Sequence, residues 1–321
     1  MKLSKIFFTS FFFLIFCSFY LLIALVFIKP EKNPVIISPV ELFEQKVLSA
    51  QAQNSFWLPK VDKIYDKGIK KPEISALSVI SYDLTSERML YDKNIKSRYP
   101  IASLTKIMTA VIALENEDFY QKIKISKSAA GIGEDSMGLT KGEEYSLEDL
   151  MYGLILHSGN DAAEAIAESM PSGRSNFIYL MNKKAEDLGL SDTHFTNPTG
   201  LEGDGKQYSS VFDLLVITRY GLNNGNFAKI VSTVDYEIPY TEQHKQIYLF
   251  NETNLLTTYP GVKGVKTGYT DEAGLCLVTY LEYDGHKIIA ILLNSTNRIM
   301  EMKDLLDYSL KTLGVEPPPH S

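Results

Sequence analysis

Three small groups of polar residues in this chain could act together on a carbonyl. Ser103 and Lys106 stand three residues apart at the head of YPIASLTKIMTAVIALE, residues 99–115. In a helix that spacing puts both side chains on one face. Ile101, Leu104, Ile107, Met108, Val111, Ile112 and Leu114 are apolar enough to bury most of the same helix. A buried ammonium loses its water, and desolvation lowers its pKa towards the neutral amine. A neutral amine beside a hydroxyl is a base beside a nucleophile. The plain alternative is a serine N-cap with a lysine reaching out to solvent. Ser158-Gly159-Asn160 falls in a short turn between two helical segments, where polar groups can be aimed into a cleft. Alone it reads equally as one helix stopping and the next starting. Lys266-Thr267-Gly268 opens the strand-like run GVKTGYTDEAGLCLV, and alone reads as an edge strand guarded by lysine. A second S-x-N, Ser295 to Asn297, reads as a strand-to-helix turn.

Other chemistries find little support. The sequence has no H-E-x-x-H and no C-x-x-C, and its five histidines are scattered, so no metal site is predicted. His157 adjoins Ser158, but adjacency is not triad geometry, and there is no G-x-S-x-G elbow and no Gly-rich phosphate loop. Of the formal net charge of −7, residues 1–32 contribute four lysines and one glutamate. Residues 33–321 therefore hold 28 basic and 38 acidic side chains, a surface unsuited to nucleic acid. Two cysteines, Cys17 and Cys276, exclude a disulfide framework.

Helices and strands must hold these groups in place. SALSVISYD alternates as a strand, LTSER turns, and MLYDKN returns as its partner. The Ser103 helix follows. Ser146 with Asp149 three residues on is an approximate capping box for LEDLMYGLILH. Residues 161–169 and 173–188 read as helices, as does SSVFDLLVITRYGL. Beyond residue 230 the chain turns to strands, and GLCLVTYLEY, Asp284-Gly285 and HKIIAILLN form a hairpin with a primed-turn dipeptide. A last helix covers 297–313. Strands at both ends with helices between predict an α+β domain whose terminal strands meet in one antiparallel sheet.

The amino terminus is different. Ile6 to Ile28 is 23 residues without a charge, long enough to cross a bilayer. It is too long for a signal-peptide core, and the first A-x-A, Ala50-Gln51-Ala52, comes far too late for cleavage. We therefore expect residues 1–28 to be a cytoplasmic tip and uncleaved transmembrane anchor. Residues 29–71, broken by Pro30, Pro34 and Pro39, would form a stalk, 72–313 the folded domain, and 314–321 a disordered tail.

In this order the three triplets form the S-x-x-K, S-x-N, K-T-G set of penicillin-binding proteins and serine β-lactamases. Over residues 72–313 the chain further resembles the low-molecular-mass D-alanyl-D-alanine carboxypeptidases, serine peptidase family S11. The likeness runs through YPIASLTKIMTAVIALE, SLEDLMYGLILHSGNDAAEAIAE, MNKKAEDLGLSDTHFTNPTGL and NLLTTYPGVKGVKTGYTDEAGLCLV. It implies a β-lactamase/transpeptidase-like fold, an antiparallel sheet flanked by helices with an all-helical subregion. The substrate implied is a peptidoglycan stem peptide, with β-lactams as covalent inhibitors and no cofactor.

The resemblance also implies roles. Ser103 would attack, Lys106 would take its proton, and Ser158 would relay a proton to the leaving amine. Asn160 would position Lys106 and the substrate amide. Lys266 and Thr267 would hold the terminal carboxylate, and Gly268 would let the peptide lie against the strand. Backbone N–H groups of Ser103 and Tyr269 would form the oxyanion hole. Many family members carry a cleaved signal and a second, β-rich domain, whereas here the membrane segment is expected at the front. A D,D-endopeptidase of the same family remains an alternative. A class A β-lactamase would need an E-x-x-L-N segment, absent between Asn160 and Lys266. A non-catalytic wall-binding module would fail to be acylated by penicillin.

Overall fold

The computed structural model describes residues 57–61, 63–202 and 205–320. The expected anchor, Ile6–Ile28, and residues 29–56 of the expected stalk lie outside the described residues. Among the described residues no helix is long and apolar enough to cross a membrane.

The main sheet is antiparallel and built from both ends of the domain. It contains β1 (Ser78–Asp83), β2 (Arg88–Lys93), β7 (Val262–Thr270), β8 (Gly274–Tyr283) and β9 (His286–Ser295), in the order β2-β1-β9-β8-β7. The β8–β9 turn is the predicted one, with Asp284 at φ 46° and Gly285 at φ 77°, the positive angles that a primed turn demands. Along β9 the pleat sorts side chains to two cores. Ile288, Ala290 and Leu292 pack with Leu305 and Leu306 of the last helix, α9 (Arg298–Leu313). Ile289, Ile291 and Leu293 join the larger core of the helical region. Both faces are covered, so β1 is buried at every position rather than at alternate ones.

The helical region comprises α1 (Thr105–Asn116), α2 (Lys127–Ala130), α3 (Leu147–Leu156), α4 (Asn160–Ser169), α5 (Gly173–Asp187), α6 (Val211–Leu222), α7 (Gly225–Val231) and α8 (Leu255–Thr258). The Ser146–Asp149 capping box is present at α3. Two small ladders escape a reading by periodicity: β3 (Lys122–Lys124) with β4 (Glu144–Ser146), and β5 (Asp235–Ile238) with β6 (Ile247–Phe250). Strands of three and four residues are too short to show a period.

The domain edges differ from expectation. Residues 57–71 were expected as stalk, yet Trp57 meets Tyr82 edge-on at 5.6 Å and Tyr65 N donates to Met89 O at 2.8 Å. The tail, expected disordered, docks instead. Val315 N donates to Leu310 O at 2.9 Å, and His320 stacks on Tyr259 at 4.6 Å and bonds Asp307 at 3.1 Å. In both segments an aromatic ring, Trp57 in the first and His320 in the second, supplies a contact that the surrounding polar and proline residues conceal.

Candidate active site

The nucleophile candidate stands on a strained turn. Ala102 has φ 47°, a left-handed angle uncommon for a residue with a Cβ. A 3-10 turn, Ala102–Leu104, leads into α1, whose N-cap is Leu104 with no side-chain cap bond. Ser103 is therefore not a cap. Two glycines press on this turn: a Cβ on Gly200 would lie 2.0 Å from Ala102 O, and one on Gly268 3.2 Å from Ser103 N. The loop holding Gly200 and the strand β7 thus lie against the backbone of Ala102 and Ser103 from two sides.

Lys106 does not reach for water either. It is fully buried, and its Nζ lies 2.9 Å from Ser103 Oγ, 2.8 Å from Asn160 Oδ1 and 2.7 Å from Thr199 O. Two of those partners are carbonyl oxygens, which only accept. A neutral amine has two N–H groups for them and keeps its lone pair for the Ser103 hydroxyl proton. Burial, with the Lys266 cation second, holds the Lys106 ammonium well below the usual lysine range, against the pull of Asp135, Glu252 and Asp161.

Asn160 is held by bonds of its own. It begins α4, its Nδ2 donates to Gly133 O at 3.3 Å, and its backbone N donates to Asp135 O at 2.8 Å. Its amide oxygen is thereby turned towards Lys106. Ser158, buried in the turn between α3 and α4, has φ 59°. The second S-x-N does no such work: Asn297 caps α9 and Ser295 Oγ donates to Glu301 at 2.6 Å.

Opposite, β7 is the edge strand of the sheet, yet Lys266 is buried while Lys263 on the same strand is exposed. Lys266 and Thr267 are 1 % and 2 % exposed, which removes the guarding-lysine alternative. Burial, opposed by Glu252 and Asp135 and aided by Arg298, brings Lys266 down to about 8. Tyr269 exposes its ring, its hydroxyl donating to Asp271 at 2.9 Å, while its backbone pairs with Leu275 of β8.

Several neighbours carry no motif. Thr199 and Gly200 belong to an Asn-Pro-Thr-Gly turn in which Asn197 Oδ1 accepts from Thr199 N at 3.1 Å and Gly200 N at 2.7 Å. Its turn-forming composition could have pointed to a built loop. Arg298, whose Nη1 donates to Gly268 O at 2.7 Å, and Glu252, which accepts from Thr267 Oγ1 at 3.2 Å, left no local signal. Among the described residues no cluster of His, Cys, Asp and Glu could hold a metal ion. The assembled groups suit acyl transfer: a hydroxyl nucleophile, an amine base touching it, and a cation with a hydroxyl across the cleft.

Comparison with known proteins gives the same picture. The family model described as D-alanyl-D-alanine carboxypeptidase, Peptidase S11, matches residues 66–297. The chain is 34 % identical over 251 residues to D-alanyl-D-alanine carboxypeptidase DacF of Bacillus subtilis, covering 75 % of this chain and 64 % of that one. The crystal structure of the Streptomyces K15 DD-transpeptidase superposes with a TM-score of 0.72 at 32 % identity, covering 76 % of this chain and all of that one. The D-alanyl-D-alanine carboxypeptidase from Mycobacterium tuberculosis H37Rv superposes with a TM-score of 0.73 at 28 % identity, covering 81 % and 99 %.

Proposed function

This chain belongs to the D-alanyl-D-alanine carboxypeptidase family, serine peptidase family S11, and on that premise we propose that it removes the terminal D-alanine from peptidoglycan stem peptides. The observation that carries this is the 2.9 Å contact between Ser103 Oγ and a Lys106 amine whose other partners are carbonyl oxygens.

Ser103 Oγ attacks the carbonyl carbon of the penultimate D-alanine as its proton passes to Lys106. The oxyanion forms against the backbone N–H groups of Ser103 and Tyr269, worth about 3–4 kcal/mol per donor in comparable enzymes. The C–N bond breaks, and the leaving D-alanine amine takes a proton relayed through Ser158. Water, deprotonated by the same base, then cleaves the Ser103 ester and returns the hydroxyl. Lys266 and Thr267 hold the terminal carboxylate, and Gly268 leaves the strand open for the peptide. β-Lactams acylate the same Ser103.

An endopeptidase acting on cross-links offers the same groups a carboxylate beside its scissile bond, so the carboxylate site alone does not choose. Direct competition chooses. With pentapeptide monomers and cross-linked dimers supplied together, free D-alanine is expected first and in excess. Dimer cleavage outrunning it moves the assignment to endopeptidase.

The domain's place belongs to the same proposal. The charge-free run Ile6–Ile28 supports an uncleaved anchor with the catalytic domain outside the cell, where peptidoglycan is. Intact-mass analysis is expected to retain residues 1–28, and external protease to reach the domain in spheroplasts. A mature terminus near residue 30 or 53 overturns the anchor.

A further inference from the structure

The segment between β6 and α8 brings a carboxylate to the cleft for which the reaction has no step. Glu252 N donates to Leu156 O at 3.1 Å, tying this segment to the end of α3. The Glu252 side chain is 38 % exposed. One oxygen, Oε2, accepts from Thr267 Oγ1 at 3.2 Å and stands 3.9 Å from Lys266 Nζ. Among the described residues it is the one carboxylate within 4.0 Å of that nitrogen. These are the two groups given above to the substrate's terminal carboxylate, and a single glutamate oxygen reaches both.

We propose that Glu252 is a built-in stand-in for the substrate carboxylate, occupying Lys266 and Thr267 in the empty enzyme and giving them up when a peptide binds. This rests on the carboxypeptidase reading of the site. An ammonium as buried as Lys266 is costly without a counter-charge, and Glu252 supplies one while the cleft is empty. The exchange is one for one. Thr267 Oγ has a single proton to donate, and two carboxylates at one ammonium repel each other. Glu252 is exposed enough to turn out into water once displaced. Its effect is on selectivity: a ligand must bring its own carboxylate to replace the resident one, and a neutral chain end gains nothing by displacing it. Glu252 is a positioning residue, acting through Lys266 and Thr267.

The charged groups around Lys266 are Glu252 and Asp135, which hold its proton on, and Arg298, which favours its loss; Lys106 faces it from α1. Removing the Glu252 charge therefore has two effects of opposite sense. The full chain bearing Glu252→Gln separates them, with D-alanine release measured from a peptide ending in D-Ala-D-Ala and leaving-group release from the same peptide with a terminal amide. At about pH 6, below the Lys266 value of about 8, KM for the acid peptide is expected to fall about fivefold, with kcat moving far less. That is the factor for one unit charge removed at about 4 Å through water. KM for the amide stays put. At high pH the alkaline limb of kcat/KM moves to lower pH, because Lys266 sheds its proton more readily. Glu252→Asp, which keeps the charge, restores that limb. An unchanged or raised KM at about pH 6, or an equal gain for the amide, overturns the proposal. Failure of the unaltered chain to release D-alanine overturns the carboxypeptidase reading and this proposal with it.

Discussion

On the helical wall of the cleft Lys106 is ringed by Asn160 Oδ1, Thr199 O and the Ser103 hydroxyl, all neutral. On the strand wall Lys266 has the Glu252 carboxylate 3.9 Å away and Asp135 among its attracting charges. The two lysines are equally hidden, at 0 % and 1 % exposure. Burial lowers both, but only Lys266 is pulled back by a carboxylate within ion-pair distance. The comparison teaches that hiding a lysine does not decide its work. The character of the nearest acceptors does: carbonyl dipoles offset the loss of water less than a carboxylate does, so burial wins at Lys106 while the carboxylate holds the proton on Lys266. On the proposed reading one wall is the base and the other the anion site.

Both walls are proposed to serve Ser103, so its loss should have the largest effect. Ser103→Ala should lower D-alanine release on the order of 10⁴- to 10⁶-fold, the scale seen when a serine hydrolase loses its nucleophile. Penicillin should add its mass to the unaltered chain at Ser103 and fail to add it to the variant. Continued labelling of Ser103→Ala would remove the assignment.

Lys106→Arg tests the base wall directly. Arginine keeps the positive charge but does not deprotonate in a protein, so acylation by penicillin should fall about 10²- to 10⁴-fold. In the unaltered enzyme the acylation rate should decline as pH falls and Lys106 takes up a proton. An arginine variant that still acylates breaks the contrast between the walls.

Lys266→Ala tests the anion wall with a smaller effect. A charge-assisted hydrogen bond is worth about 1.5–3 kcal/mol, so kcat/KM for an acid-terminated peptide should drop roughly 10- to 150-fold. An amide-terminated peptide should lose much less. Only the ammonium grips, so kcat/KM for the acid peptide should fall as pH rises through the Lys266 value of about 8. Equal losses for both peptides would reduce Lys266 to a packing residue.

How much of this contrast could be read from sequence depends on distance along the chain. Ser103 and Lys106 were legible because their relation is local: three residues and one helical face. The apolar stripe of the same helix gave the burial of Lys106. The β8–β9 hairpin was equally legible, since Asp284-Gly285 names its own turn. The acceptors that set the lysines apart were not. Thr199 lies 93 residues from Lys106 in sequence, and Asn160 lies 54. Only the motif set marked Asn160, and only the turn-forming composition around it hinted at Thr199. Glu252 looked like any exposed loop glutamate, because its meaning comes from β7 folding beside it. Lys266 as an edge-strand lysine pointed to solvent by general rule; the helical region covering that edge reversed the expectation.

The smallest expected effect tests whether the two walls act on each other. After burial, the Lys266 cation is the next cause holding Lys106 low. Lys266→Met removes that charge while keeping an unbranched apolar side chain, so Lys106 should bind its proton more readily. As the proposed base, Lys106 acts without its proton, and a rise in its proton affinity therefore moves the acid limb to higher pH. The carboxylate site must be taken out of the measurement, since this variant also loses its grip on acid-terminated peptides. The suitable reading is the acid limb of kcat/KM for an amide-terminated peptide, compared between the unaltered chain and Lys266→Met. A limb that moves up ties the anion wall to the base wall: the same ammonium that holds the substrate also helps keep the general base neutral. An unmoved limb would leave burial alone as the cause of the neutral amine, and the walls as independent devices. Movement to lower pH would mean that losing Lys266 lets the surrounding dipoles relax against the Lys106 charge, and the coupling would have the wrong sign.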